Sequence, residues 1–305
     1  MSAARSRASG RSPEGEAVVI ERPTAGTPHQ GKVLVVVTPH VDDMPIFAAG
    51  TVAKLLSEGY QGYFIRTSND EADSIGLTVG ETVAANERDA RTVARVLGLS
   101  GVFDLNERNH RMDASSKLEL RARLIFLFRL LRADTVFSYD PWVHDEENPD
   151  HYVTAQAVEA ACWMAGNHLD YPEHFAAGLV PHGVTEKYYF ARRRHAVNRA
   201  VDISGTLHLK LDAICACRTQ MAHMVNGLRA YLQARGLRMA DLEGGEEAAI
   251  RVYAEGVHVE RAATVGATHG LAYAEEFHWI GPDTPAPLEP DPLATFIARR
   301  AEPAS

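Results

Sequence analysis

Cysteine is scarce in this chain: 305 residues carry three, Cys162, Cys215 and Cys217. An odd, sparse set excludes a disulfide framework and suits reduced thiols in the cytoplasm. The Cys215–Cys217 pair lies in a helical pattern and reads as core thiols before it reads as a metal clamp. Long apolar runs are missing as well. Nothing approaches the roughly 18 consecutive apolar residues of a spanning helix, so no membrane partner is expected. Positive charge is in deficit, with a formal net charge of −9, which argues against a nucleic-acid partner. The opening stretch MSAARSRASGRSPEGE has basic residues but no apolar segment, so it is not expected to act as a secretory signal. Its Ser, Arg, Gly and Pro content predicts a disordered tail over 1–16. The apolar run Val33–Val37 is not followed by G-x-G-x-x-G, and the acids found there instead would repel a dinucleotide phosphate.

What the chain does have is alternation. Val33–Val37 is an unbroken run of Val and Leu that reads as a buried strand. Further strands follow at Tyr60–Thr67, Val102–Leu105 and Thr135–Tyr139, with helices at Ile46–Glu58, Glu81–Leu97, Lys117–Leu131 and His151–Met164. Connections of that length are not hairpins, so the pattern predicts an α/β fold with a mostly parallel sheet and helices on both faces. Ala17–Arg22 is a candidate edge strand. Beyond residue 180 the alternation lapses into an extension. It holds strands at Lys187–Ala191 and Arg199–Ile203, a mostly helical Leu207–Arg235 interrupted at Asn226–Gly227, a helix over Glu246–Ala263, and Leu271–Trp279 as a strand or short helix. No repeat or linker divides the chain. Residues 17–285 are expected to form a single domain that includes this C-terminal extension, followed by a tail over 286–305.

The chemistry sits where strands stop. Val33–Val37 ends at Thr38 and Pro39, and His40, Asp42 and Asp43 follow at once. The carboxyl end of a buried strand is where open α/β sheets place their sites. His40 and Asp43 read as metal ligands, and Asn148–His151 (NPDH), which also follows a strand and opens a helix, supplies His151 as a third. Two His and one carboxylate leave a coordination position open, as in catalytic rather than structural zinc sites, and a water held there has a lowered pKa. Asp42 is then placed to act as general base, and Asp150 to orient a neighbouring side chain. Plainer readings exist: Asp42 and Asp43 as helix N-caps, NPDH as a turn and cap. The conjunction of two such clusters, each between a strand and a helix, is what capping alone does not explain.

With these residues in hand, PHVDDMPIFAAG and NPDH resemble the two motifs of the LmbE-like, or PIG-L, N-acetylglucosaminyl deacetylase family. The family's first motif is usually written (A/P)HPDD with a Gly several residues on, and its second HPDH. The resemblance spans roughly Val33 to Ile203, with weaker echoes near Arg218–Gln220 and Leu271–Gly281. It implies a Rossmann-like three-layer sandwich, zinc as cofactor, His40, Asp43 and His151 as its ligands, Asp42 as general base, and Asp150 as the partner of the electrophilic histidine that opens the second motif. That histidine is Asn148 here. An amide donates a hydrogen bond to an oxyanion but cannot carry positive charge. His144 is the alternative for that role, or else a surface residue. Val41 in place of Pro and Met44 in place of a frequent Glu are milder departures. By the same resemblance Arg88 is a candidate substrate contact, against a helix-surface role. Asn69 and Asp70 are candidates for sugar hydroxyls, against a solvated turn. Asp113, or His110, is the candidate for a substrate-binding acid or neighbour after the third strand. The remaining histidines, His223 and His258 among them, read as structural.

The expected function is therefore a zinc-dependent hydrolase that removes an N-acetyl group from an N-acetylglucosamine-type sugar or conjugate. The His/His/Asp set also suits iron, cobalt or manganese. Two alternatives stand beside it: a metal-dependent amidohydrolase on a non-sugar N-acyl substrate, and a non-catalytic metal- or sugar-binding relative. The expected partner is a small molecule, in a cytoplasmic protein whose C-terminal extension is a candidate interface for a homo-oligomer.

Overall fold

In a computed structural model describing residues 18–282 and 292–301, the strands are β1 (Val19–Glu21), β2 (Val33–Thr38), β3 (Gln61–Ser68), β4 (Gly101–Glu107), β5 (Thr135–Tyr139), β6 (Glu186–Phe190), β7 (Arg199–Asp202) and β8 (Ala274–Ile280). They form one sheet in the order β1-β7-β8-β6-β5-β2-β3-β4. Every neighbouring pair is parallel except those of β8, which runs antiparallel to both β6 and β7. The expected mostly parallel α/β sheet is thus present. From β2 the chain moves to one side for β3 and β4, then returns to the other side for β5 and β6. Where the direction reverses, a crevice opens beyond the carboxyl ends of β2 and β5.

The helices are α1 (Asp43–Phe47), α2 (Ala49–Ser57), α3 (Val79–Leu97), α4 (Lys117–Leu131), α5 (Pro149–Met164), α6 (Glu173–Ala176), α7 (Leu207–Ala216), α8 (Arg218–Gln233), α9 (Glu246–Tyr253), α10 (Glu260–Thr268) and α11 (Pro292–Arg300). Side chains of a strand alternate between faces, and β2 shows why its sequence is apolar throughout. Leu34 and Val36 enter a core with Val52, Ala90, Ile214 and Met221, while Val35 and Val37 enter a second core with Leu124, Phe128, Val153 and Val158. Each such buried side chain contributes about 1.5–3 kcal/mol. Both faces are covered, giving three layers. Among the described residues, no helix is long and apolar enough to cross a membrane.

Helix ends follow local chemistry. A capping box between Thr78 and Glu81 opens α3, and Gly98 at φ 80° closes it. The expected helix Ile46–Glu58 instead starts at Asp43 and steps at Ala48 (φ −139°, ψ −4°), dividing α1 from α2. The step is filled from the C-terminal part of the chain. Lys210 Nζ donates to the carbonyls of Pro45 (3.2 Å) and Ile46 (2.6 Å), and the Glu275 carboxylate accepts from the amides of Gly50 (3.1 Å) and Thr51 (2.8 Å). These groups would otherwise be orphans at the two helix ends. Gly50 is required here, because an added Cβ would lie 2.8 Å from the Ile203 side chain.

Two further expectations are corrected. The break within 207–235 falls at Cys217 (φ −76°, ψ 51°), not at Asn226–Gly227, where the helix continues and the Asn226 side-chain Nδ2 donates to Ala222 O (2.7 Å). Between α9 and α10 the chain winds as a π-helix over Ala254–Val259 rather than continuing a regular α-helix. Pro292–Arg300, placed in the tail, is helical. Leu271–Trp279 resolves as strand β8. The expected tail over 1–16 and residues 286–291 and 302–305 lie outside the described residues.

Candidate active site

The β2–α1 turn and the start of α5 meet at the crevice. Asp43 is the first residue of α1, and its carboxylate is fixed from two sides: Oδ2 accepts from the His40 backbone amide (2.9 Å) and Oδ1 from the Tyr139 hydroxyl at the end of β5 (2.7 Å). On α5, Asn148 is the N-cap, its Oδ1 accepting from the Asp150 amide (3.0 Å), and Pro149 fills the first turn where no amide hydrogen is needed. That turn carries Asp150 and His151 inward, and both are buried. The His151 ring stacks on Tyr139, centroids 4.0 Å apart.

Three donor atoms converge. His40 Nδ1 is 3.1 Å from His151 Nε2 and 3.2 Å from Asp43 Oδ2, and His151 Nε2 is 3.4 Å from Asp43 Oδ1. Tetrahedral bonds of about 2.0–2.1 Å place ligand atoms roughly 3.3 Å apart. Two imidazole nitrogens that face each other across a carboxylate therefore have the spacing and the donor set to hold one divalent cation. Glu146 Oε1 lies 3.1 Å from His151 Nδ1, within ion-pair range but without a hydrogen bond. The far side of the His40 ring is held: His40 Nε2 is 3.2 Å from Asp150 Oδ2, which leaves Nδ1 facing inward. Partners of this kind fix the tautomer and aim of metal-binding imidazoles.

The electrostatics favour positive charge at this point. Burial disfavours charge on His40, but Asp43 and Asp150 outweigh it and raise its pKa well above the usual histidine range. Burial alone would raise Asp43, yet His151 and His40 hold it far below the usual carboxylate range. Asp42 goes the other way: burial and the Asp43 charge push it well up. Although Asp42 is the N-cap of α1, it makes no side-chain capping bond. Among the described residues its carboxylate has no hydrogen-bond or ion-pair partner, and it lines the open cavity of about 440 Å³ over the site.

The structure brings together His40, Asp42, Asp43, His110, Asn148, Asp150 and His151, and sets the other candidates apart. Asp150 pairs with His40 and with the amides of His110 (2.7 Å) and Met112 (3.3 Å), so it orients His40 rather than a residue at position 148. His144 is exposed and does not line the cavity; its ring faces His195 at 6.4 Å. Asp70 is fully buried, held by Arg66 Nη1 (2.7 Å) and the Ser68 hydroxyl (3.1 Å), so it reaches no substrate. Asn69 braces its own turn through Glu71 and the Asn109 amide. Arg88 is exposed on α3 and Asp113 on the following 3-10 turn, and neither lines the cavity.

Several residues read as structural, or passed over, belong to the cavity wall: Asp73, Gln220, His223, Tyr253, His258 and Arg261. Gln220 Oε1 accepts from the Asp42 amide (3.1 Å). Glu146 and Tyr139 had a signal, since each lies within the loop or strand that delivers NPDH. His258 and Arg261 had none, because they reach the site from a helix more than 200 residues after His40.

Residues 35–162 match the family model of GlcNAc-PI de-N-acetylase, PIG-L. Among curated proteins, the chain is 27% identical over 237 residues to a diacetylchitobiose deacetylase from Thermococcus kodakarensis, a match that covers 74% of this chain and 82% of that protein. Among solved structures it is similar to N,N'-diacetylchitobiose deacetylase from Pyrococcus horikoshii, with TM-score 0.66, 24% identity, and 83% and 88% of the two chains covered. It is also similar to 4-carboxy-2-hydroxymuconate hydratase from Pseudomonas putida, with TM-score 0.61, 18% identity, and 84% and 99% covered. A deacetylase and a hydratase share this fold, so the two structures speak for architecture and the site must speak for chemistry. Both motifs lie inside the stretch, residues 35–162, over which the chain is similar to the PIG-L, or LmbE-like, family.

Proposed function

We propose that the protein is a zinc-dependent N-deacetylase acting on an N-acetylglucosamine-type sugar or conjugate. The observation that carries this reading is the convergence of His40, Asp43 and His151 on one point, with an unbonded Asp42 carboxylate beside it. The Thermococcus relative, a diacetylchitobiose deacetylase by name, supports the substrate class. When bound, a divalent cation in such a site supplies Lewis acidity to a carbonyl oxygen and to water. Asp42 takes the proton from the attacking water and delivers it to the departing amine. Tyr139 and the His40 amide hold Asp43 in place, and Asp150 holds the His40 ring. The Asn148 Nδ2 group, free of partners among the described residues while Oδ1 caps α5, is a neutral donor at the cavity wall for the oxyanion. The test is amine release from N,N'-diacetylchitobiose and N-acetylglucosamine by protein stripped of metal and reloaded with zinc. Zinc should restore release. Asp42→Asn should bind zinc as the parent does and lose about 10²–10⁴-fold in kcat. A chain that binds no metal, or an Asp42→Asn variant with full turnover, ends this reading.

A further inference from the structure

A second cavity, of about 260 Å³, adjoins the one over the metal ligands, and the two share Ile46, Phe47, His258 and Arg261 as common wall. Its cations stand out in a chain of net charge −9. Most of them are paired: Arg193 with Asp145 (3.3 Å), Arg194 with Glu276 (3.2 Å) and Lys210 with Glu275 (2.6 Å). Arg192, on the metal-pocket side, faces Glu146 at 3.6 Å.

Arg261 is different. Its Nη2 donates to the carbonyls of Ala191 and Arg192, at 3.2 Å each, and the guanidinium stands 4.8 Å from the centre of the Phe47 ring. Those contacts fix the side chain without neutralising it. Among the described residues no carboxylate forms an ion pair with it, and its Nε and Nη1 have no hydrogen-bond partner. The side chain is exposed to both cavities. His258, brought to the same boundary by the π-helix, is buried with Nε2 unpartnered. Such π segments often mark functional positions. A guanidinium held in a planar, oriented pose with open N–H groups is suited to a carboxylate or phosphate.

We infer that the substrate carries an anionic group, a phosphate or carboxylate, bound by Arg261 at the boundary of the two cavities while its N-acetyl end occupies the metal pocket. The inference rests on the deacetylase reading for the second half of that sentence only. Asp43 and Asp73 line the metal pocket and disfavour an anion there. The anion is therefore directed toward the cavity whose cations outnumber its acids.

The test is calorimetric binding to zinc-loaded protein carrying Asp42→Asn, which blocks turnover. N-acetylglucosamine, its 6-phosphate and N-acetylmuramic acid are the probes. At least one anionic sugar should bind about tenfold or more tightly than the neutral one, and which one does so identifies the anion. Adding Arg261→Gln should abolish the preference, and Arg261→Lys should retain part of it. Equal affinity for all three sugars overturns the inference without any further variant. So does a preference that survives in Arg261→Gln with an unchanged melting temperature. Because binding is read without turnover, absence of amine release from diacetylchitobiose would count against the deacetylase reading alone.

Discussion

His258 shows how much a single residue's meaning depends on what folds against it. Burial, with Lys210 and Arg261 nearby, pushes its imidazole down to about 4. In the unfolded chain it titrates near the ordinary histidine value of about 6.5. The unfolded state thus binds more protons between these values. The stabilising contribution is complete above pH 6.5 and is lost as pH falls toward 4, by about 3 kcal/mol for this one group. Urea titrations at pH 7 and pH 4.5 should show this loss in the parent protein, and His258→Gln should remove that component. If the variant is as acid-sensitive as the parent, His258 is not the group responsible. At the residue scale the candidate site was legible only in part. His40, Asp43 and His151 were legible because a buried strand that ends in His and Asp has few other uses. Asp70 was misread because a polar run such as SNDEAD looks solvated. Its partner Arg66 is a fully buried cation inside a strand, and no local pattern announces that Asp70 folds inward to meet it.

At the scale of elements, the step between α1 and α2 depends on a buried pair contributed by α7 and β8. Lys210 and Glu275 are 2.6 Å apart, both buried, and each also satisfies backbone groups at the step. Breaking one partner of a buried pair costs about 3–5 kcal/mol, whereas replacing both with apolar groups can be close to neutral. Glu275→Ala should therefore lower the melting temperature markedly, while the double variant Lys210→Met, Glu275→Leu should recover part of the loss. A Glu275→Ala protein that melts with the parent would show that the pair does not hold the step. The helix was read as continuous from Ile46 because apolar spacing registers a face, not a one-residue offset. The offset is stabilised by residues far along the chain, so only the tertiary structure reveals it. The capping box of α3, by contrast, is entirely local, but its Thr78 precedes Glu81, where the sequence reading began the helix.

At the scale of the molecule, the parallel core from β2 to β5 was readable because strands and helices alternate there with regular spacing. The C-terminal part was not, since its order depends on β8 inserting antiparallel between β6 and β7. If the His40, Asp43 and His151 group holds zinc, the ion ties the β2 end to α5. Zinc at about a hundred times its dissociation constant should then add roughly 2.7 kcal/mol. Thermal melts of stripped protein should rise by several degrees on zinc addition, and Asp43→Asn should abolish the rise. An equal rise in the variant would place the binding elsewhere.

The pairing of β1 with β7 joins Val19 to Arg199, and the contact between Gly50 and Glu275 spans 225 residues. As the chain leaves the ribosome, His40, Asp43 and His151 emerge before Lys210 and Glu275, the groups that set the step beside them. A nascent chain that already displays His40, Asp43 and His151 is therefore still without the step that shapes the pocket. Closure of so many distant contacts makes for slow folding, and the period between the two events is when an immature chain is most exposed to proteases.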